Sequence, residues 1–270
     1  MPEGPEVRRQ ADRIQKAVGG RKADRVFFGL EALAARGPEL SGRRVEHVEA
    51  RGKALLTHFE GGLSVYSHNQ LYGRWYIVKA GRPPRTNRQL RFAIETSSQD
   101  ALLYSASDIE VLETAAVSEH PFIAALGPDA LDPTVGPDLV EARLERFRRR
   151  QLGALLLDQR FVAGLGNYLR SEILFFSGVL PERRAMDLAP GRRARLAREI
   201  LEVTRRAYRT GGITVEDELS KQLKQEGLPR GKRRHHVFAR LGHTCRRCET
   251  PIDKRDVAGR RVYVCPGCQT

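Results

Sequence analysis

The sequence predicts an α+β chain made of several parts. Apolar residues recur at helical spacing over residues 5–18, switch to period two between 25 and 104, and return to helical spacing after 138. Between the two regimes lies GPDALDPTVGPD (127–138), rich in Pro, Gly and Asp. All four cysteines fall in the last 26 residues, apart from both.

Each part has its own signals. In 5–18, Pro5 suits a first helical turn, Val7, Ala11, Ile14 and Val18 share a face, and Gly19-Gly20 ends the helix. Leu90, Phe92 and Ile94 alternate with polar residues, as do Leu63 and Val65, and Trp75 to Val78 reads as a strand. This gives a β-rich N-terminal domain, 1–126, carrying at least one helix. Residues 127–138 read as a hinge. In the helical domain, 139–240, Leu152, Leu155 and Leu156 share one face, and Leu169, Ile173 and Phe176 another. The turn Val162–Asn167 joins those two helices, and Gly178 and Pro181 close the second. Residues 211–234 are polar and weakly patterned, which predicts a mobile loop ending in a basic cluster.

The last part, 241–270, is a cysteine module. Cys245-x2-Cys248 and Cys265-x2-Cys268 are separated by 16 residues. Two such knuckles present four thiolates to one tetrahedral ion, so the spacing predicts one structural Zn2+. Two redox pairs would want a thioredoxin-like surround, which is missing here. Val262 and Val264 alternate around Tyr263, predicting a hairpin between the knuckles. His235, His236 and His243 are not needed by a filled site and read as surface or phosphate-facing residues. Arg246, Arg247, Arg260 and Arg261 make the module a candidate DNA-contacting device.

Composition narrows the function classes. Lys and Arg number 47 against 33 Asp and Glu, a net charge of +14, which points to a polyanionic partner. No apolar run is long enough to span a bilayer, and MPEGPEVRRQ lacks the apolar stretch of a signal peptide. A cytoplasmic, nucleoid-associated protein is the expectation.

Residue 2 is proline. With the methionine removed it offers a secondary amine, and an α-amino group titrates low enough that roughly a tenth is neutral at pH 7. Attack on a sugar C1′ by such an amine gives an iminium ion. Glu3 beside it is a candidate acid. A lone proline at this position is weak evidence.

It is not alone. MPEGPE, the helix-turn-helix around LDQRFVAGLGNYLRSEIL, and CRRC…CPGCQ occur together and in this order. The chain thereby resembles the family of formamidopyrimidine-DNA glycosylase and endonuclease VIII along essentially its whole length. SHNQLYGRW (67–75) and RGKALLTHF (51–59) are more similar to the bacterial endonuclease VIII branch; the strand around Gln70-Leu71-Tyr72 is less like the other branch.

The resemblance implies an N-terminal β-sandwich with flanking helices, a helix-two-turns-helix domain and a C-terminal zinc-finger hairpin. It implies a monomer that binds double-stranded DNA holding a damaged base or abasic site in a basic cleft, with the damaged nucleotide flipped out. It makes Pro2 the Schiff-base nucleophile and Glu3 the acid that opens the sugar ring, with Glu6 in support. Lys53 matches a lysine near the lesion phosphate, assigned to β-elimination. Gln70, Leu71 and Tyr72 match the wedge that fills the gap left by the flipped base. Three consecutive side chains cannot all face a core. Asn167 lies where the turn meets a helix and would join backbone N–H groups in a phosphate site or cap the helix. Arg260, five before Cys265, matches a finger arginine that grips phosphates and aids δ-elimination, with Arg261 the residue most easily confused with it.

Two departures stand out. Ala125 replaces a usual DNA-contacting arginine, and Glu249 follows Cys248 where glycine is common, which predicts strain in that knuckle. The resulting expectation is a bifunctional glycosylase and abasic-site lyase for oxidised pyrimidines, needing no redox or nucleotide cofactor. The alternatives are the same chemistry on oxidised purines and a non-catalytic DNA-binding protein.

Overall fold

The computed structural model describes residues 2–270. They fall into two compact units, one of Glu6–Ala125 with Pro2, the other of Leu126–Thr270 with Glu3–Pro5.

The first unit is two four-stranded antiparallel sheets. Helix α1 (Gly4–Val18) leads into β1 (Arg25–Phe28), short α2 (Arg36–Leu40), then β2 (Val45–Arg51), β3 (Ala54–Phe59), β4 (Leu63–His68), β5 (Arg74–Lys79), β6 (Leu90–Glu95), β7 (Gln99–Tyr104) and β8 (Asp108–Glu113). One sheet runs β2-β3-β4-β8 and the other β1-β6-β7-β5. Period-two residues of both meet in one core: Val48, Leu55, Phe59 and Val65 from the first, Phe28, Trp75, Phe92 and Leu103 from the second. The apolar face of α1 (Val7, Ala11, Ile14, Val18) closes that core, and Gly20 takes a left-handed φ of 73° just past its end. The predicted sandwich is there. The outer faces are packed as well: Ala93, Leu102 and Tyr104 form one satellite cluster, Ala54, Leu56 and Tyr66 another. Short α3 (Pro121–Ala124) follows β8.

The second unit is helical. It holds α4 (Pro137–Arg146), α5 (Leu152–Leu155), α6 (Asn167–Ser177), α7 (Pro190–Thr210), α8 (Asp217–Gln225) and a hairpin of β9 (Asp253–Val257) and β10 (Arg260–Val264). Its core joins Leu144, Leu155, Leu169, Ile173, Leu196 and Ile200 to Val257, Val262 and Cys265 of the hairpin module. Gly178, with φ 70°, ends α6.

Three expectations need correction. Residues 70–72 are not strand; they are the turn between β4 and β5. Residues 211–234 are not a featureless loop, because α8 forms there. Asp217 and Glu218 in its first turn and Lys224 in its last suit the helix dipole, but Leu223 is its one buried side chain, too little for a visible periodicity. His235 and His236 are not at the surface; both are buried. Among the described residues, no helix is long and apolar enough to cross a membrane.

Candidate functional site

In the second unit, Glu3 is held by the start of α6. Its side chain is only 4% exposed. Oε1 accepts the Tyr168 N–H at 2.8 Å and Oε2 the Leu169 N–H at 3.3 Å. A carboxylate there satisfies N–H groups that have no intrahelical partner and sits at the positive end of the helix dipole. Two glycines of VAGLGN make room. Gly164 adopts φ 89° and its carbonyl accepts the Gly4 N–H at 2.8 Å, fixing the segment that carries Glu3. At Gly166 a Cβ would lie 2.3 Å from the Glu3 carboxyl carbon. Gln159 braces the same turn, accepting from Gly164 N at 3.0 Å and donating to the Leu165 carbonyl at 2.9 Å.

This arrangement corrects the reading of Asn167. The cap residue is Gly166, with no side-chain cap bond, and Asn167 is the first residue of the helix. The N–H groups of the next two residues go to Glu3. Asn167 instead donates from Nδ2 to the Arg261 carbonyl at 2.8 Å and accepts from Arg170 Nη2 at 2.6 Å.

Arg170 was missed by sequence reasoning. It is fully buried and bonds the carbonyls of Gly153 (2.9 Å), Arg260 (3.2 Å) and Arg261 (2.9 Å). It ties α6 to α5 and to the start of β10. Burial, with the charge of Arg260 beside it, pulls its pKa down to about 10, against the opposing pull of Glu3. The signal in the sequence was a lone arginine amid the apolar residues of YLRSEIL. Arg260 and Arg261 are themselves exposed.

In the first unit, one end of the β2-β3-β4-β8 sheet gathers the other candidates. Lys53 lies in the tight β2–β3 turn after Gly52 (φ 59°) and is 8% exposed, so it is a buried turn lysine and not a solvated strand charge. Ala54 pairs with His68, and His68 with Asp108. Burial lowers the His68 pKa; the Lys53 charge adds to this and Asp108 opposes it. From His68 the chain enters the turn carrying Gln70, Leu71 and Tyr72. Leu71 and Tyr72 are 61% and 68% exposed, among the most exposed large apolar side chains described. The turn is nonetheless held. Asn69 donates to Gln10 of α1 at 2.7 Å, His68 Nδ1 accepts the Gln70 N–H at 3.0 Å, and Ser107 donates to Gln70 Oε1 at 3.0 Å. Gln70 takes φ 47°, a strained value for a non-glycine. Pro2 and Glu6 are half-buried, and Ala125 is exposed.

The four cysteines converge. Cys245, Cys248, Cys265 and Cys268 have sulfurs within 4.8 Å of one another, able to hold a metal ion. Cys248 Sγ is 3.3 Å from the sulfurs of both Cys265 and Cys268, and Cys245 Sγ is 3.8 Å from Cys268. Tetrahedral Zn–S bonds imply separations of about 3.8 Å, so the donors fit. Glu249 has φ 63°, the strain foreseen for that knuckle.

Two of the four finger arginines are occupied within the protein. Arg246 donates to the Lys232 carbonyl at 2.8 Å, and Arg247 pairs with Glu216 at 2.7 Å over the rings of Phe175 and Phe176. They border a buried network that the sequence did not suggest. The Glu172 carboxylate accepts the N–H groups of His236, Val237 and Phe238 at 2.8–2.9 Å and the Thr214 hydroxyl at 2.7 Å. His236 stacks on Phe175 and meets Glu216 at 2.6 Å.

Known proteins resemble this chain in sequence and in fold. Residues 1–107 match the family model described as the formamidopyrimidine-DNA glycosylase N-terminal domain, and residues 126–218 its H2TH domain. The chain is 47% identical to Endonuclease 8 of Klebsiella pneumoniae and 46% identical to that of Escherichia coli, over the full length of each. The chain belongs to the formamidopyrimidine-DNA glycosylase and endonuclease VIII family. Members of this family are DNA glycosylases with abasic-site lyase activity that act in base excision repair. Among solved structures, the Lactococcus lactis Fpg protein in complex with abasic-site DNA superposes with a TM-score of 0.82 at 23% identity over 99% of both chains. A MutM protein bound to DNA containing carbocyclic 8-oxoguanine gives 0.81 at 24% over the whole of both. These two show the shared fold.

Proposed function

We propose that the chain excises oxidised pyrimidines from DNA and then cuts the strand, with Pro2 as nucleophile. The observation that carries this reading is Glu3: a buried carboxylate, fixed by the first turn of α6, adjacent in sequence to the proline.

The neutral Pro2 amine attacks C1′, the base leaves with the bonding pair, and the proton the amine sheds passes by way of Glu3 to the sugar ring oxygen as the ring opens. The product is an iminium ion joining Pro2 to C1′. Loss of a C2′ proton expels the 3′ phosphate, and a second elimination expels the 5′ phosphate. Water then frees the amine, leaving a one-nucleotide gap with phosphate ends. Lys53 is assigned to the first elimination. Gln70, Leu71 and Tyr72 are assigned to the vacated base position; exposed apolar groups on a braced turn suit that task. Arg260 is assigned to the lesion phosphates. Its spacing of five residues before Cys265, and the positive charge it adds beside Arg170, favour it over Arg261. Asn167 contributes by holding the Arg261 carbonyl and hence the base of the hairpin. The domain limits proposed are 1–126, 127–138, 139–240 and 241–270, with a structural Zn2+ on the four cysteines. Acting on chromosomal DNA, such an enzyme works in the cytoplasm at the nucleoid.

The pyrimidine reading rests on the resemblance of SHNQLYGRW and RGKALLTHF to the endonuclease VIII branch, in keeping with the relatives named Endonuclease 8. The fold does not decide this, since a Lactococcus lactis Fpg complex holds DNA with an oxidised pyrimidine. The test is borohydride trapping on duplexes carrying thymine glycol, 8-oxoguanine or an abasic site. A covalent adduct mapping to residue 2, formed faster on thymine glycol, supports the reading. Undiminished trapping with Met1 retained would sink the nucleophile, and faster reaction on 8-oxoguanine the substrate class.

A further inference from the structure

The β2–β3 hairpin of the first unit carries a second cluster of metal-ligand type. His47 and Glu49 are two apart on β2 and so share a face, and His58 on β3 is the cross-strand partner of His47. Their donor atoms lie within 4.8 Å of one another. His58 Nε2 is 3.4 Å from Glu49 Oε1 and His47 Nε2 3.9 Å from Glu49 Oε2, and the two imidazoles stack with centroids 4.7 Å apart. Tetrahedral bonds of about 2.1 Å require donors about 3.4 Å apart. Reaching that spacing on Oε2 needs small side-chain shifts, open to the exposed His47 and to a turn of the Glu49 carboxylate.

The surroundings favour ligation over mere packing. His58 is buried, and its Nδ1 lies 2.7 Å from Ser64 Oγ, which in turn is 2.8 Å from Thr114 Oγ1. A metal on Nε2 requires Nδ1 to donate to Ser64, the outer hydrogen bond that metal-binding histidines commonly have; without metal Nε2 can instead bond the Glu49 carboxylate. Arg51 bonds Glu49 Oε1 at 3.1 Å, the oxygen that also faces His58, which orients the carboxylate and leaves Oε2, the oxygen facing His47, for a metal.

We propose that His47, Glu49 and His58 form a second divalent-metal site, for Zn2+, separate from the four cysteines. Two imidazoles and a carboxylate are the donor set of open zinc sites, with a fourth position for water. Bound there, Zn2+ clips β2 to β3 and stabilises the first unit by linkage.

The test uses the full chain with its cysteine cluster already loaded. Equilibrium dialysis against Zn2+ should then give a second equivalent and a further rise in Tm. His47→Gln and Glu49→Gln should weaken that equivalent at least about tenfold while leaving the zinc-free Tm unchanged. Cobalt placed in the second site should show d–d bands without thiolate charge transfer, which separates it from the cysteines. A wild type that takes up no second equivalent overturns the proposal. So does a second equivalent that survives both substitutions, or one that carries thiolate bands.

Discussion

Glu3 and Gly166 define the chemistry at the scale of single residues. Gly166 has φ −141°, which alanine adopts freely, so its substitution is steric and not a matter of backbone strain. The added Cβ would meet the far end of the Glu3 side chain, 2.5 Å from Oε1, and not a backbone atom. The cheapest relief is for Glu3 to move. Gly166→Ala should therefore fold with near-normal stability yet lose base excision, by about 10²-fold if the carboxylate shifts by about 1 Å. Cleavage of a preformed abasic site should suffer less, because ring opening needs the acid while the base is attached. Glu3→Gln should show the same split. Single-turnover rates on a thymine glycol duplex and an abasic duplex check both; equal losses on the two substrates refute the role given to Glu3. The sequence pointed to Glu3 through its neighbour Pro2, but not to its partners. Gly164 and Gly166 read as turn glycines, and only the fold reveals a carboxylate from residue 3 lying on the helix they introduce.

Among the elements, the hairpin and the 235–238 segment are both stapled to α6, by Arg170 and Glu172 respectively. Charged residues inside a helix average into an amphipathic pattern, so neither staple was visible beforehand, whereas Val262, Val264 and the cysteine spacing announced the hairpin itself. The hairpin arginines can be ordered by experiment. Removing one arginine–phosphate pairing should flatten the log–log salt dependence of binding by about one unit. Arg260→Ala should do this on every lesion and let β-elimination ends accumulate. Arg261→Ala should do much less, and an effect of Arg261 exceeding that of Arg260 would mean a register one residue off. Ala125→Arg should steepen the slope if the alanine leaves a phosphate unmatched, and change nothing if another arginine fills that role. The second staple is pH-sensitive. Burial, helped by the charges of Arg234, His236 and Arg246 and opposed by Glu172, pushes His235 down to about 4 from an ordinary 6.5. Between those values the unfolded chain binds the proton and the folded one does not, so stability rises with pH across the window. Acidification from 6.5 to 4 should cost this segment roughly 3 kcal/mol. Denaturation at stepped pH should show that slope, and His235→Gln should remove it; an unchanged slope in the variant would assign the effect elsewhere.

For the molecule as a whole, the question is how far the cysteine module depends on the rest. The sequence set residues 241–270 apart as a module of their own. The structure gives a different picture: Cys245, Ile252, Val257, Val262 and Cys265 lie in the same buried cluster as Leu169, Ile173 and Leu174 of α6. The first unit keeps a separate core of strands and α1. Residue patterns foretold both cores, but not that the module shares one of them, because such sharing rests on pairs far apart in the chain. Tyr263 N donates to Ser171 Oγ at 3.3 Å, and Arg170 bonds the carbonyls of Arg260 and Arg261. Metal loss should therefore reach α6. Structural zinc supplies folding free energy to a module this small, and without it the hairpin should open. Opening removes the partners of Arg170 and Ser171 and exposes part of the shared core. In Cys265→Ser, amide exchange should quicken in 253–264 and also in 167–171. Strands β2 to β4 should keep their protection. DNA affinity should fall, since Arg260 loses its support. If exchange quickened in the hairpin alone, with α6 unchanged, the module would be a satellite after all and the packing against α6 would contribute little.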